Sequence, residues 1–313
     1  MRGVKKKLSG DCSSLKIESQ DIKKQLFLYG AAMLATILWA SAFPATRYAL
    51  NYYSPVSLMV LRFGAASISL IVVGMIKKIS LPKLKDLPYF VASGLSGVFL
   101  YSFLFNTGSV SVPAGVSSFI ITTSPVFTLL LTRIFLKEKL RPICWLGVLI
   151  SFCGLAAVTL TQTAEFSFDI GVVLVICAAI SSGIYSTVIR ILTKNYSALE
   201  TTTYTIIAGT LGTLLFIPNA IREIPYSNLT VNLVVVFMGV FPAALAYLAW
   251  SYALSKAKKT AHVTVFTYLI PLISAFIAYL WLGETLSIFT FIGGLVIIAG
   301  MLLTNIFDRE QDK

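Results

Sequence analysis

Residues 125–140 read PVFTLLLTRIFLKEKL, and residues 271–286 read PLISAFIAYLWLGETL. A shift of 146 positions aligns the two stretches without a gap. A proline opens both, and both end on a Leu-x-Glu-x-Leu pattern centred on Glu138 and Glu284. Two glycines seven residues apart then follow each stretch. Because this combination is much rarer by chance than a single match in apolar sequence, it indicates an internal repeat.

Long apolar runs dominate the chain. Apolar residues make up 57% of it and charged residues only 12%, whereas a soluble domain carries roughly 25% charged residues. An apolar run of about 20 residues crosses a bilayer core as one helix. The runs predict an all-α membrane protein with ten transmembrane helices. The predicted spans are 27–50, 55–76, 88–107, 112–136, 142–161, 170–192, 198–218, 231–254, 261–282 and 286–306.

The basic residues predict the orientation of these helices. If the N-terminus is inside, 21 of the 25 Lys and Arg residues fall in inside loops and tails, as the positive-inside rule requires. An even number of spans then places both termini in the cytoplasm, with a flexible N-terminal tail. Each half has five spans, an odd number, so the second half enters the membrane inverted. The predicted tails and five-helix repeats are 1–26, 27–161, 170–306 and 307–313.

Charge and cysteine patterns exclude several other functions. The net charge of +12 comes from short loops between apolar runs, so we expect no nucleic-acid partner. The four cysteines lack CxxC spacing and the chain has one histidine, so we expect no metal site and no cofactor. No nucleophile–base pair is evident, and we do not expect an enzyme. An inverted repeat is instead typical of secondary transporters.

Several short motifs resemble a known family. They are Trp39-Ala40-Ser41-Ala42-Phe43, Leu61-Arg62-Phe63, Ser124-Pro125-Val126 and the Leu-x-Glu-x-Leu that follows. Together they resemble two EamA domains of the drug/metabolite transporter superfamily. The resemblance implies a ten-helix inverted-repeat transporter in a prokaryotic plasma membrane, usually an exporter of metabolites or amino acids. The second repeat has no Trp near Ser181 and no basic residue near Thr205, so we do not expect strict symmetry of the substrate site.

Two polar helix faces predict a pocket near the bilayer midplane. A proline inside a span bends the helix and frees backbone carbonyls, which must be satisfied by protein or line a wet cavity. Polar side chains share a face with each proline at helical spacing. These residues are Ser118, Thr122 and Pro125 in one half, and Thr264, Thr267, Tyr268 and Pro271 in the other. Alternatively, such hydroxyls bond their own helix or help helices pack.

Aromatic residues extend this predicted pocket. They are Trp39, Phe43, Tyr101, Tyr185 and Tyr247. Tyr and Trp near span ends often anchor a helix at the membrane interface, but Tyr101 and Tyr185 lie deeper in their spans. An aromatic, hydroxyl-lined pocket suits a neutral, zwitterionic or mildly apolar solute, and it does not suit phosphates or bare metal ions.

Three charged residues have structural or gating interpretations. Arg62 lies about seven residues into the second span, where a charge costs roughly 2.5–3.5 kcal/mol at the bilayer centre. It either binds a substrate carboxylate or clamps helix-end carbonyls. Glu138 and Glu284 flank short turns and either cap helices or contribute to gating. Since the span cores contain no carboxylate, we expect facilitated exchange or coupling through these two residues.

The sequence therefore predicts a carrier that moves a small organic metabolite, such as an amino acid, by alternating access around a midplane cavity. Efflux is the expected direction. A multidrug or nucleoside exporter of the same fold, a channel and a non-transporting membrane scaffold remain alternatives. The glycine pairs Gly147/Gly154 and Gly293/Gly300 allow spans five and ten to pack closely. That contact lies either within one chain or between the chains of a homodimer.

Overall fold

The computed structural model describes residues 2–112, 114–137, 141–162 and 170–282, and residues 288, 292, 293, 295, 296, 298–300, 302 and 303. Within these residues the chain is helical apart from turns and short connections, without a β-strand. The all-α class expected from the apolar runs is therefore observed in the described part of the chain.

The helices before residue 163 are interrupted more often than the ten-span prediction expects. Their bounds are α1 (Arg2–Ala49), α2 (Pro55–Lys77), α3 (Leu87–Gly94), α4 (Tyr101–Gly108), α5 (Ala114–Ile121), α6 (Ser124–Phe135) and α7 (Pro142–Gln162). A short 3₁₀ turn at Leu84–Asp86 precedes α3, and a π-helical segment at Leu95–Leu100 joins α3 to α4. These pieces form one continuous span, Leu84–Gly108.

The second half repeats this plan. Its helices are α8 (Ile170–Leu192), α9 (Ala198–Thr213), α10 (Ile217–Glu223), α11 (Leu229–Met238), α12 (Ala246–Lys256), α13 (Ala261–Thr264) and α14 (Ile270–Leu282). Two 3₁₀ turns, Leu214–Phe216 and Ile224–Tyr226, flank α10. A π-helical segment, Gly239–Leu245, joins α11 to α12, and a 3₁₀ segment, Val265–Leu269, joins α13 to α14. The described residues from 288 to 303 are also helical.

Seven helical stretches of the described chain are long and apolar enough to cross a membrane. They are Gln25–Ala49, Pro55–Lys77, Leu84–Gly108, Ile170–Leu192, Ala198–Tyr226, Leu229–Lys256 and Ala261–Trp281. Predicted span four is divided between α5 and α6, and α7 covers span five. Most of span ten lies outside the described residues. The count of ten helices therefore stays a prediction.

The N-terminal tail differs from expectation, because α1 extends back to Arg2. The sequence of the tail permits this, since it lacks proline and is rich in the helix formers Lys and Leu. The apolar part of α1 begins at Gln25, close to the predicted start of the first span.

Matched interruptions occur in the two halves. The 146-residue shift carries the π-helical segment Leu95–Leu100 onto residues 241–246, which overlap the second π-helical segment. It also carries Ser124, where α6 begins, onto Ile270, where α14 begins. A π-helical turn is rare and is frequently found at functional sites. Gly97 of the first π-helical segment and the helix-start residues Ser124 and Ile270 border a cavity between the two halves.

The two halves interlock through their first spans. Helix α1 packs against α12 and α14, while α8 packs against α4 and α6. Close packing also occurs near the C-terminus, where a Cβ added to Gly300 would lie 2.5 Å from the Gly147 carbonyl oxygen. The contact between spans five and ten that the paired glycines predict is thus made within one chain at these two positions. The homodimer stays a prediction.

A tyrosine ties the halves together at the face that carries the loop between α1 and α2, which we call face I. The Tyr53 hydroxyl donates to the Asn232 side-chain oxygen and contacts Ser227 Oγ at 2.8 Å. Next to it, the Ser54 backbone N–H donates to Glu223 Oε2 at 2.8 Å. The Ser54 side chain also caps the N-terminus of α2. Face I is closed by polar contacts across the repeat boundary.

The opposite face, which carries the loop between α2 and α3, has the matching tie, and we call it face II. The Tyr196 hydroxyl donates to Asp86 Oδ2 at 2.6 Å and accepts the Lys83 N–H at 3.1 Å. This hydrogen bond to the Asp86 carboxylate raises the pKa of Tyr196. Like Tyr53, Tyr196 directly precedes a capping serine, Ser197. The 146-residue shift carries Asp86 onto Asn232, the partner of Tyr53.

Two arginines cap matched helix ends. Arg47 donates to the carbonyls of Ser109 (3.3 Å) and Val110 (3.2 Å) at the end of α4. Arg190 donates to the carbonyls of Leu254 and Lys258 at the end of α12. Free carbonyls and the helix dipole make a C-terminal helix end a favourable partner for a cation.

Candidate substrate cavity

A cavity of about 50 Å³ lies between the two halves, which is room for a few water molecules or part of a small solute. Its lining residues are Trp39, Ala42, Phe43, Arg62, Gly97, Tyr101, Phe105, Ile121, Ser124, Ser182, Tyr185, Tyr247, Thr267 and Ile270. Trp39, Arg62, Tyr101, Tyr185 and Tyr247 each lie at least seven residues from both ends of their spans, or about 10 Å along a helix. The cavity is therefore deep within the bundle.

Trp39 is held in place by the other half of the chain. Its indole N–H donates to the Pro242 carbonyl at 3.1 Å. Its ring meets Tyr247 edge-on, with centroids 5.6 Å apart, and lies 5.0 Å from Trp250. Pro242 belongs to the second π-helical segment, whose wider turn changes the regular helical hydrogen-bond pattern. Trp39 thus joins one wall of the cavity to that segment.

Tyr247 makes the reciprocal contact with the first half. Its hydroxyl donates to the Gly97 carbonyl at 2.8 Å, and Gly97 belongs to the first π-helical segment. The Tyr185 ring packs directly on the Gly97 backbone, since a Cβ there would lie 2.1 Å from Tyr185 Cδ2. Ser181 Oγ donates to the neighbouring Ser96 carbonyl at 2.8 Å. Side chains from each half therefore bond carbonyls in the π-helical segment of the other.

Phe43, Tyr101 and Phe105 form a second aromatic wall. Tyr101 stacks on Phe105 with ring centroids 5.6 Å apart and an interplanar angle of 3°. Phe43 meets Phe105 edge-on at 5.3 Å. This wall belongs wholly to the first half, which gives the cavity an asymmetric lining.

Arg62 contributes a positive charge to the cavity, and 4% of the residue is exposed. Its Nε has no hydrogen-bond partner within the described ranges of the chain, and its guanidinium carbon lies 5.3 Å from the Phe63 ring centroid. Within the described part of the chain Arg62 makes no hydrogen bond to a helix-end carbonyl. The clamp that was one interpretation of Arg62 is therefore not seen there, whereas Arg47 and Arg190 do make such caps.

The predicted polar faces contribute less than expected. Thr267 lines the cavity, but Ser118, Thr122, Thr264 and Tyr268 do not, although all four are buried. Thr122 Oγ1 donates to the Ser118 carbonyl at 2.6 Å, which is the local bonding that was the alternative interpretation. The hydroxyls of Thr264 and Tyr268 have no hydrogen-bond partner among the described residues.

Pro125 and Pro271 do not line the cavity either. Each is the second residue of a helix, α6 or α14, which begins immediately before it. A proline at this position needs no N–H partner, so the helix is interrupted before the proline rather than bent at it. The interruption brings Ser124 and Ile270, the preceding residues, to the cavity wall.

Of the predicted site residues, Trp39, Phe43, Tyr101, Tyr185, Tyr247, Thr267 and Arg62 meet at the cavity, while Glu138 and Glu284 lie outside the described residues. The lining residues that sequence reasoning missed are Ala42, Gly97, Phe105, Ile121, Ser124, Ser182 and Ile270. The 146-residue shift could have pointed to three of them, because Ile121 aligns with the predicted Thr267, and Ser124 aligns with Ile270. Gly97 and Ala42 are small apolar residues in apolar spans, so their side chains do not predict a place at a cavity.

No group of three or more metal-ligating side chains occurs among the described residues.

Comparison with known proteins gives consistent similarities along the chain. The model of the EamA-like transporter family matches residues 26–160 and again residues 169–306. An uncharacterized transporter of Bacillus subtilis (strain 168), YdfC, is 31% identical over 277 residues, covering 88% of this chain and 90% of that protein. A protein of Streptantibioticus cattleyicolor named a probable terminal-alkyne amino-acid exporter is 31% identical over 275 residues, covering 88% and 92%.

Two further similarities concern an archaeal relative and the fold. An uncharacterized transporter of Archaeoglobus fulgidus is 30% identical over 270 residues, covering 86% of this chain and 95% of that protein. One solved crystal structure matches with a TM-score of 0.74 at 19% identity, covering 90% of this chain and 98% of its own. At that identity the match shows the fold alone.

Proposed function

The chain belongs to the EamA-like transporter family, and from this premise we propose that it is a secondary transporter of a small organic metabolite. The proposed solute is an amino acid or a similar neutral or zwitterionic molecule. The proposed mechanism is alternating access around the central cavity, with export from a prokaryotic cell as its direction.

The observation that carries this proposal is the composition of the cavity wall. Both halves of the chain contribute to it at matched positions, with Tyr101 and Tyr247 as one pair and Ser124 and Ile270 as another. A site at the interface of inverted repeats is served by two similar gates that face opposite sides of the membrane. The ties of Tyr53 at face I and Tyr196 at face II are natural candidates for closing those gates.

We propose two inverted five-helix repeats, residues 27–161 and 170–306, as the architecture behind this mechanism. The matched helix interruptions and the matched tyrosine ties support it. We further propose that face II is cytoplasmic, because the loops on that side carry most of the Lys and Arg residues. The N- and C-terminal tails then lie in the cytoplasm.

The lining supports an amino acid as the solute. Aromatic rings and a few hydroxyl groups suit a small molecule with an apolar part and a polar end. One of the relatives is named as an amino-acid exporter.

The alternative functions predict other observations. A multidrug or nucleoside exporter needs a larger cavity than this one, so a larger cavity in another conformation would favour it. A channel would pass solute without trans-stimulation, and a non-transporting scaffold would show no saturable flux.

Counterflow in proteoliposomes tests the proposal. Vesicles preloaded with unlabelled amino acids should take up labelled amino acid faster than empty vesicles, and the uptake should saturate. Ala42→Leu, which fills the cavity wall, should reduce this flux at least ten-fold, whereas Ala92→Leu at an exposed position of α3 should not. Flux that is linear in concentration, or equal in the two variants, contradicts the proposal.

The same vesicles test coupling. We propose facilitated exchange, or coupling through Glu138 or Glu284. A pH gradient should then drive little accumulation in Glu138→Gln and Glu284→Gln. Strong uphill accumulation that persists in both variants contradicts this part of the proposal and leaves carrier function intact.

A further inference from the structure

Arg62 is a buried cation, and no described residue provides it with a compensating charge. It lies on α2 with 4% of its surface exposed and borders the cavity. Its Nε lacks a hydrogen-bond partner among the residues that the structure describes. A cation in an apolar interior is unfavourable unless it is paired and hydrogen-bonded. The described residues therefore leave the charge of Arg62 uncompensated.

No described carboxylate can serve as the partner. The acidic residues with described side chains are Asp86, Glu200 and Glu223, and all three are engaged at the membrane faces. Asp86 accepts from Tyr196, Glu200 accepts from Ser197, and Glu223 accepts from the backbone of Ser54. Among the described residues that line the cavity, Arg62 alone carries a formal charge.

We propose that Arg62 binds the carboxylate of the transported solute, which makes the substrate class carboxylate-bearing monoanions and zwitterions, with amino acids foremost. This inference rests on the proposed transport function. A guanidinium presents a planar fork of donors that matches a carboxylate in a bidentate contact. Such a contact compensates the charge of Arg62 only when the solute is bound. The contact therefore stabilises the solute-bound state of the cavity.

The remaining walls define the rest of the solute. Trp39, Tyr101 and Tyr247 offer ring faces and edges around the space beside Arg62. An ammonium group is attracted to such ring faces, and an apolar side chain packs against them equally well. Because the lining holds a single cation, a dianion such as a phosphate monoester would remain half uncompensated there.

Matched ligands test the assignment without any mutation. Purified protein is titrated with L-valine, L-valinamide and the phosphate monoester O-phosphoethanolamine while thermal unfolding is followed, since a ligand of the native state raises its stability. L-Valine should shift the unfolding temperature upward, and L-valinamide, which lacks the carboxylate, should shift it at least ten times less at equal concentration. An equal or larger shift by L-valinamide or by O-phosphoethanolamine, neither of which has a carboxylate, overturns the proposal.

Variants then identify the residue. Arg62→Gln should weaken L-valine binding at least ten-fold, and Arg62→Lys, which keeps the charge but not the fork, should fall between it and the parent. Arg133→Gln, which removes an exposed arginine from α6, is the matched control and should bind as the parent does. Normal L-valine binding by Arg62→Gln overturns the proposal. If that variant does not fold, the ligand comparison decides alone.

Counterflow separates this inference from the function on which it rests. Saturable exchange of neutral amides, without exchange of any amino acid, would remove the carboxylate assignment and keep the carrier. The absence of saturable exchange for every solute would remove the carrier itself.

Discussion

Gly97 shows how a single residue controls the shape of the cavity. The Tyr185 ring occupies the place of its missing side chain, and the Gly97 carbonyl accepts the Tyr247 hydroxyl. Two aromatic residues of the second half are thus positioned by one backbone position of the first. The sequence around Gly97 does not predict that it positions two aromatic rings, because this role depends on the residues that pack against it in the folded protein.

We predict that Gly97→Ala destabilises the protein by about 1–3 kcal/mol, the usual cost of forcing extra atoms into a packed interior. The added Cβ would lie 2.1 Å from the Tyr185 ring, so Tyr185 must move. The measurement is chemical or thermal unfolding in detergent. In a Tyr185→Ala background the same Gly97→Ala change should cost much less, and an equal cost in both backgrounds would contradict the proposed contact.

The helices of this protein are interrupted where side chains of the two halves converge around the cavity. Each π-helical segment presents carbonyls to side chains of the other half, through Trp39 in one direction and Tyr247 in the other. The helix starts before Pro125 and Pro271 place Ser124 and Ile270 at the cavity wall. A regular helix would point these groups elsewhere, since its side chains repeat every 3.6 residues.

The tyrosine ties at the two faces should control opposite sides of the transport cycle. Loss of one hydrogen bond costs about 1 kcal/mol, which shifts a two-state equilibrium about five-fold. Tyr53→Phe should favour opening at face I, and Tyr196→Phe should favour opening at face II. A membrane-impermeant maleimide that reacts with a cysteine placed at Ala42 from the face I side reports the change.

The expected result is faster labelling in Tyr53→Phe and slower labelling in Tyr196→Phe than in the parent carrying the same cysteine. Tyr226→Phe, a change at an exposed tyrosine, serves as the control and should label like the parent. Equal labelling rates in the two tie variants would show that neither tie controls access to the cavity.

At the scale of the whole molecule, we propose that the two halves share one plan and enter the membrane from opposite sides. We predict that alkaline phosphatase fused to the C-terminus is inactive in bacterial cells, because that end lies in the cytoplasm, while an insertion between α7 and α8 is active. Green fluorescent protein at the same two positions should give the reverse pattern. An active C-terminal phosphatase fusion would contradict the orientation that the basic loops predict.

Much of the architecture could be predicted from local patterns. Apolar runs marked the long spans, and the aligned Pro and Leu-x-Glu-x-Leu stretches marked the repeat. Aromatic residues deep in a span, such as Tyr101 and Tyr185, were predicted to face a cavity and do so. The same reasoning placed Ser118 and Tyr268 at the cavity, where they are not found, because one helical period was assumed to continue through the interruptions before the prolines.

The sequence by itself determined that this chain is a helical membrane protein with an internal repeat. The reason is that hydropathy and charge are properties of single residues and can be read directly along the chain. Only the tertiary structure decided which residues meet at the cavity and that Arg62 stands there without a carboxylate partner in the described part of the chain. The reason is physical: π-helical turns and helix starts rotate side chains out of the regular period. The contacts they create join residues as distant in sequence as Trp39 and Pro242.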